Sequence, residues 1–216
     1  MQHTRIQGQR IQLRENENLS ELFEFYYGIL HVTVVYYDKN QKRTKERQEG
    51  YMQVLYKSTR GKGETVTASM AILKGLSEDG GLFVPTSIPK LDVPVEKLAQ
   101  MTYQETAYEV MSRFLTDFTE EELKDCIARA YDSKFDEKVD TTEIAPLHEA
   151  DGAYYLELFH GSTIAFKDMA LSILPHLMTT AARKNQVKND IVILTATSGD
   201  TGKAALAGFA DVPGTR

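Results

Sequence analysis

The sequence predicts an α/β fold with a parallel sheet, because apolar runs alternate with a helical pattern between residues 154 and 202. Residues 154–159 and 191–194 are apolar runs of the length of buried strands, and apolar residues recur at helical spacing over residues 169–181. A second helix is expected to begin at Lys203, after a turn of small residues. Strand, helix, strand, turn and helix in this order form a parallel crossover, which is nearly always right-handed. Ligands bind beyond the carboxyl ends of such strands, so we expect a site at the turns that follow them.

Capping signals predict three helices upstream of this region. Thr67 precedes a short apolar pattern over residues 68–76. Thr102 with Glu105, and Thr119 with Glu122, have the spacing of capping boxes and are each followed by an amphipathic pattern. We expect these helices to form scaffold rather than site.

Other positions carry further structural expectations. Pro175 lies inside the helical pattern of residues 169–181, where an interior proline costs roughly 3 kcal/mol, so the helix should kink or restart there. Cys126 lies on an apolar helix face and is interpreted as packing. Near the amino terminus, residues 19–30 are expected to form a helix and residues 29–37 a strand.

Lys167 is the first candidate for chemistry. It lies between Phe166 and Asp168 at the start of a predicted helix. A lysine amine that is held beside apolar surface loses solvation, and a neutral amine can form a Schiff base or act as a base. The alternative is a surface lysine in the first helical turn, and residue type alone does not separate the two.

The turn of residues 198–202, Ser-Gly-Asp-Thr-Gly, is the second candidate. Backbone N–H groups at a helix N-terminus favour an anion such as a carboxylate or a phosphate. The alternative is a simple helix cap formed by Ser198, Asp200 or Thr201. A P-loop is excluded, because threonine occupies position 197 where the motif needs glycine, and Ala204 stands where it needs serine or threonine.

Four separated motifs in the same order resemble the threonine synthases, pyridoxal-phosphate enzymes of the tryptophan-synthase-β-like fold. The motifs are STRGKG (58–63), LKGLSEDGGLFVPTSIP (73–89), LELFHGSTIAFKDMA (156–170) and TATSGDTGKAALAGF (195–209). The resemblance runs from about residue 52 to residue 216.

The resemblance implies a cofactor, a reaction and site residues. Lys167 would carry pyridoxal 5'-phosphate as an internal aldimine. Ser198, Gly199, Asp200 and Thr201 would hold the substrate carboxylate, with Asp200 also beside the cofactor ring. Related enzymes of the fold tend to have asparagine at the position of Asp200, so this aspartate favours the threonine-synthase branch. The implied reaction converts O-phospho-L-homoserine and water to L-threonine and phosphate.

The same resemblance predicts how the chain is divided. Residues 52–135 would form the family's N-terminal domain, and residues 136–216 the first part of the pyridoxal-phosphate-binding α/β domain. The family's cofactor-phosphate site lies in later sequence, and a third strand is expected after the last helix but is not seen. We therefore expect a truncated N-terminal fragment that is inactive on its own.

Residues 1–51 fall outside the resemblance and form an atypical extension. One hypothesis is an upstream untranslated region read in frame, since the residues before Met52 have purine-rich codons like those of a ribosome-binding site. The alternative is a genuine extension of the protein. Peptides from this segment in native cells would decide between them.

Composition limits the possible partners. The net charge of −6 and the lack of a basic stripe disfavour nucleic acid, and no apolar run reaches the length of a membrane span. One cysteine cannot form an internal disulfide, which fits a cytoplasmic setting. The five histidines show no metal-ligand spacing, so we expect no metal. The resemblance implies a small-molecule substrate.

Three alternatives to threonine synthase stay open. The first is another pyridoxal-phosphate lyase, either a dehydratase or a cysteine-synthase-like enzyme. The second is a homologue that binds small phosphorylated ligands without catalysis, although such a protein has no use for a Schiff-base lysine. The third is an inactive truncated gene product.

Overall fold

The computed structural model describes residues 53–135, 143–197 and 199–216, together with the backbone of four short strands nearer the amino terminus. Strands and helices are mixed along the chain, and the α/β class is confirmed. The elements are β1 Arg5–Ile6, β2 Gln9–Arg10, β3 Leu22–Tyr27, β4 Leu30–Val35, β5 Tyr56–Ser58, α1 Ala68–Lys74, β6 Phe83–Pro85, α2 Val95–Leu98, α3 Tyr103–Phe114, α4 Glu120–Ala130, β7 Leu147–Ala150, β8 Ala153–Leu156, α5 Asp168–Leu171, α6 Leu174–Lys184, β9 Val192–Thr195 and α7 Asp200–Phe209.

The predicted helix caps are confirmed. The Thr67 hydroxyl accepts a hydrogen bond from the Met70 amide at the start of α1. Complete capping boxes are present at Thr102 of α3 and at Thr119 of α4. These signals are predictable because each cap depends on residues only three positions apart.

One apolar core holds α1, α4 and α6 together. Leu73 of α1, Leu123 and Cys126 of α4, and Met178 and Ala181 of α6 belong to a single buried cluster. Cys126 is fully buried, with its sulfur 3.6 Å from the hydroxyl oxygen of Thr180, so its interpretation as packing is confirmed. The residues on the two sides of the predicted boundary at 135/136 thus share a core, and the boundary itself stays a prediction.

The helical pattern of residues 169–181 divides into two helices at Pro175, as expected. The first helix, α5, ends at Leu171, and α6 begins at Leu174 with Pro175 in its first turn. Proline is tolerated there because the first amides of a helix have no acceptor within the helix.

The predicted parallel crossover between residues 154–159 and 191–194 is wrong. The first strand, β8, pairs instead with β7 in an antiparallel hairpin, with Leu147 opposite Leu156. The tight turn consists of Asp151 and Gly152, with φ of 50° and 73°. An Asp-Gly pair with two positive φ angles is the strongest short-range hairpin signal, and it determines the partner of β8 locally.

A parallel connection occurs one step later in the chain. The Ile191 amide donates to the Gly214 carbonyl at 2.8 Å, and the Arg216 amide donates to the Ile191 carbonyl at 2.8 Å. Ile191 and Thr215 form an isolated parallel bridge, so residues 214–216 run beside β9 after α7. Among the described residues, the third strand expected after α7 is present only as this bridge.

The other edge of β9 pairs in antiparallel fashion with β4. A strand over residues 29–37 is confirmed by β4, whereas the helix expected over residues 19–30 is wrong, because β3 occupies Leu22–Tyr27 within that stretch. The sequence of β3, LFEFYY, is rich in aromatic residues, which favour strands over helices.

The residues just before Met52, whose codons are proposed to be a ribosome-binding site, lie outside the described residues. In the described part of the chain, no helix has the length and apolar character needed to span a membrane.

Candidate active site

Lys167 lies at the N-terminal end of α5, immediately before its first residue, and its side chain is half-buried. Its ammonium lies 4.6 Å from the ring centroid of Phe166. Within the described residues, this cation–π contact is the only one made by the ammonium, which has neither an ion pair nor a hydrogen bond. The amine of Lys167 is thus held against an aromatic surface, and no acid from the described residues pairs with it.

The loop before Lys167 is fixed by Asp168. The Asp168 side chain is 2% exposed, and its two carboxyl oxygens accept hydrogen bonds from the Thr163 amide at 2.8 Å and the Thr163 hydroxyl at 2.6 Å. Gly161 lies directly against this carboxyl group, and a Cβ atom there would overlap the Asp168 side chain. The loop therefore closes around one buried acid.

Two apolar side chains project from the same loop. Ile164 is 73% exposed and Phe166 is 60% exposed. Ile164 also has a φ of 63°, a conformation that a β-branched residue rarely adopts. Strained backbone of this kind persists only where the surroundings hold it, and it concentrates at functional sites.

The small-residue turn leads directly into α7, which begins at Asp200 rather than at the expected Lys203. Gly199 is the residue before the helix and has no side chain to cap it, and among the described residues neither Asp200 nor Thr201 acts as the expected simple cap. Ser198 lies outside the described residues. Asp200 is exposed and Thr201 is buried.

Thr197 organises this turn. Its hydroxyl oxygen accepts hydrogen bonds from the Gly202 amide at 2.9 Å and from the Gly199 amide at 3.3 Å. Among the described residues, the amides of Asp200 and Thr201 find no hydrogen-bond acceptor at the N-terminus of this ten-residue helix. Open amides at this position favour an anion.

The two candidate segments are joined by Lys203. Its ammonium donates a hydrogen bond of 3.0 Å to the Thr163 carbonyl oxygen. Further along, Leu171 of α5 packs with Ala204 and Ala205 of α7, and the backbone of Gly208 approaches the Leu171 carbonyl so closely that a Cβ atom would overlap it. These contacts hold α5 and the loop before it against α7.

His160 lies close to Lys167 in the sequence, and its ring has partners within its own turn. Its Nε2 lies 2.7 Å from a carboxyl oxygen of Glu157, and its ring stacks on Phe159 with centroids 4.7 Å apart. These contacts account for His160 without a catalytic role.

A second polar cluster joins the two upstream motifs. Asp79 of the SEDGG segment accepts hydrogen bonds from the Ser58 hydroxyl at 2.6 Å, the Gly81 amide at 3.0 Å and the Lys62 amide at 3.1 Å. The Ser58 hydroxyl, followed by these amides and the Ser77 hydroxyl, lowers the pKa of Asp79 to about 2, against the opposing effect of burial. This carboxylate connects the two motifs within the fold.

The comparisons with known proteins agree with the resemblance. Residues 55–131 match the family model described as threonine synthase N terminus. The chain is 41% identical over 166 residues to a threonine synthase of Schizosaccharomyces pombe, an alignment covering 73% of this chain and 32% of that protein. Over these residues the chain is similar to the threonine synthases.

Further relatives agree. A threonine synthase of Eremothecium gossypii is 37% identical over 169 residues, covering 73% of this chain and 33% of that protein. The crystal structure of PLP-bound threonine synthase from Brucella melitensis superposes with a TM-score of 0.64 and 33% identity, covering 75% of this chain and 34% of that chain. The chain thus spans about a third of the length of the threonine synthases that it matches.

The sequence analysis missed four residues that shape this region: Thr163, Asp168, Thr197 and Lys203. Their contacts join positions up to 40 residues apart, and nothing in the local pattern of the sequence signals them. The roles expected for Lys167 and residues 198–201 in threonine synthase chemistry stay predictions.

Proposed function

We propose that this protein is a cytoplasmic threonine synthase, which converts O-phospho-L-homoserine and water to L-threonine and phosphate with pyridoxal 5'-phosphate as cofactor. One observation carries the proposal: the hydrogen bond from Lys203 to Thr163 brings together the two segments that the family resemblance assigns to the cofactor and to the substrate carboxylate. The named relatives support it, since both are threonine synthases, at 41% and 37% identity to this chain.

The residues around Lys167 fit pyridoxal phosphate. A cofactor with an aldehyde needs a lysine amine that is accessible and unpaired, and the half-buried Lys167 forms no ion pair among the described residues. The exposed Phe166 beside it provides apolar surface for the cofactor ring. When bound, pyridoxal phosphate supplies an electron sink for charge that develops next to the substrate amine.

The chain's own residues would bind, orient and move protons. Lys167 would anchor the cofactor and then carry protons at Cα and Cβ of the substrate. The open amides of Asp200 and Thr201 would hold the substrate carboxylate at the positive end of α7. Asp200, in the first turn of that helix and exposed, would lie beside the cofactor ring.

Product analysis of the full-length protein tests this proposal. Incubation with pyridoxal phosphate and O-phospho-L-homoserine should release threonine and phosphate in equal amounts, and Lys167→Ala should abolish both. Lys188→Ala is the matched control, since Lys188 is an exposed lysine beyond α6.

Parallel incubations with serine and threonine separate the alternatives. Release of pyruvate or 2-oxobutanoate without turnover of phosphohomoserine would identify a dehydratase. Pyridoxal-phosphate binding without any turnover would identify a non-catalytic homologue.

A further inference from the structure

Asp168 is a buried acid that the proposed reaction does not use. It directly follows Lys167, it is 2% exposed, and within the described part of the chain it forms no ion pair. Burying a carboxyl group costs free energy unless hydrogen bonds compensate for the lost water. Both of its side-chain hydrogen bonds come from one residue, Thr163.

These two bonds determine the shape of the segment that contains Lys167. They close a loop over residues 163–168 in which Ile164 is held at a φ of 63°, and backbone bonds from Ile164 to Gly161 and from Asp168 to Ala165 complete it. A strained conformation relaxes when the contacts that hold it are removed. Since Lys167 is the residue immediately before Asp168, its backbone direction depends on the same bonds.

Thr163 also faces the second segment. Its amide and hydroxyl bind Asp168, while its carbonyl oxygen accepts the bond from Lys203 at 3.0 Å. Thr163 is itself buried, so the hydrogen bonds that link Asp168 to Thr163 and Thr163 to Lys203 pass through the interior of the loop before they reach α7. A shift of Thr163 would therefore move both the Lys167 segment and the start of α7.

We propose that Asp168 and Thr163 form a positioning pair, which sets the direction of Lys167. Through the hydrogen bond from Lys203, the pair also aligns Lys167 with the Gly199–Thr201 turn. The inference rests on the proposed function and deepens it. The pair touches neither substrate nor cofactor, and it acts through the backbone that it holds.

The test uses four variants of the full-length protein. Thr163→Val removes the hydroxyl and keeps the side-chain shape, whereas Thr163→Ser keeps the hydroxyl. Asp168→Asn can keep both contacts, because its amide oxygen can accept from the Thr163 amide and its NH₂ can donate to the hydroxyl. Thr179→Val is the matched control, since the Thr179 hydroxyl donates only to carbonyls of its own helix, α6.

The first readout needs neither cofactor nor turnover. Amide hydrogen exchange in the cofactor-free protein should become about tenfold faster in Thr163→Val, both at residues 161–168 and at residues 199–203. Thr163→Ser and Asp168→Asn should keep the slow exchange, and Thr179→Val should change neither segment. Unchanged exchange in Thr163→Val, or faster exchange in residues 161–168 alone, would overturn the proposed coupling.

The second readout separates positioning from general stability. Thr163→Val should lower kcat by about tenfold with a smaller change in KM, because a misdirected lysine impairs the chemical step more than substrate binding. An unchanged kcat with only a lower unfolding temperature would show a purely structural role and overturn the proposal. If the unsubstituted protein makes no threonine, the proposed function fails, and the exchange experiment still decides the inference.

Discussion

The Lys203 ammonium donates a hydrogen bond of 3.0 Å to the Thr163 carbonyl oxygen, across 40 residues of sequence. This bond connects α7 to the loop that ends at Lys167, and the packing of Leu171 against Ala204 and Ala205 keeps the two helices together. Two segments that are separate in the sequence thereby become one surface.

Replacing Lys203 should separate the start of α7 from the loop that ends at Lys167. Lys203→Met keeps most of the apolar stem and removes the donor, so the start of α7 should lose its alignment with the Lys167 loop. We expect KM for O-phospho-L-homoserine to rise by about tenfold with a smaller effect on kcat, since a hydrogen bond from a charged donor contributes about 1.5 kcal/mol or more. Steady-state kinetics measures this, with Lys188→Met as the control, and an unchanged KM would exclude Lys203 from the site.

Gly208→Ala should reverse the usual effect of alanine in a helix. An interior helix glycine replaced by alanine normally gains about 1 kcal/mol. At Gly208 the added Cβ would overlap the Leu171 carbonyl, so α5 and α7 must move apart. Urea unfolding should show a loss of about 1–3 kcal/mol, the range typical of overpacking. A stabilised variant would show that the two helices are not in close contact.

The Ser58 hydroxyl should be the main cause of the low pKa of Asp79. Ser58→Ala removes the first and largest contribution and should raise the pKa from about 2 towards its usual value of 3.8. Because the folded-state pKa is lowered, this carboxylate stabilises the fold fully above the usual value, and the contribution is lost as the pH falls towards about 2. Carboxyl-carbon NMR titration measures the shift, and the exposed Ser87→Ala should leave the pKa unchanged.

His176 should make the fold sensitive to mild acid. Burial, together with Arg129 and Lys134, lowers the pKa of His176 below 6.5, and nearby Asp125 only partly opposes this. The unfolded chain therefore binds the proton more readily, so stability should fall as the pH drops below about 6.5. His176→Gln should flatten the pH dependence of the urea midpoint between about pH 7 and pH 5. His148→Gln, at an exposed histidine, should leave the dependence intact; an equally steep profile in both variants would assign it to other groups.

The features that were predictable from the sequence depend on neighbouring residues. The capping boxes at Thr102 and Thr119 and the restart at Pro175 each involve positions within one helical turn. The pairing of β8 with β7 is signalled by the neighbouring Asp151–Gly152 turn, and this local hairpin takes precedence over the longer-range crossover that the apolar pattern predicts. Contacts such as Lys203–Thr163 were beyond prediction, since the burial of Thr163 and the approach of α7 depend on the packed fold rather than on local spacing.

Locating the lysine that binds pyridoxal phosphate tests the central claim most directly. Full-length protein is incubated with the cofactor, reduced with borohydride and digested, and the modified peptide is identified by mass spectrometry. We predict a single pyridoxyl adduct on Lys167, absent from Lys167→Ala and retained in Lys203→Met. An adduct on another lysine, or one that survives in Lys167→Ala, would contradict the account.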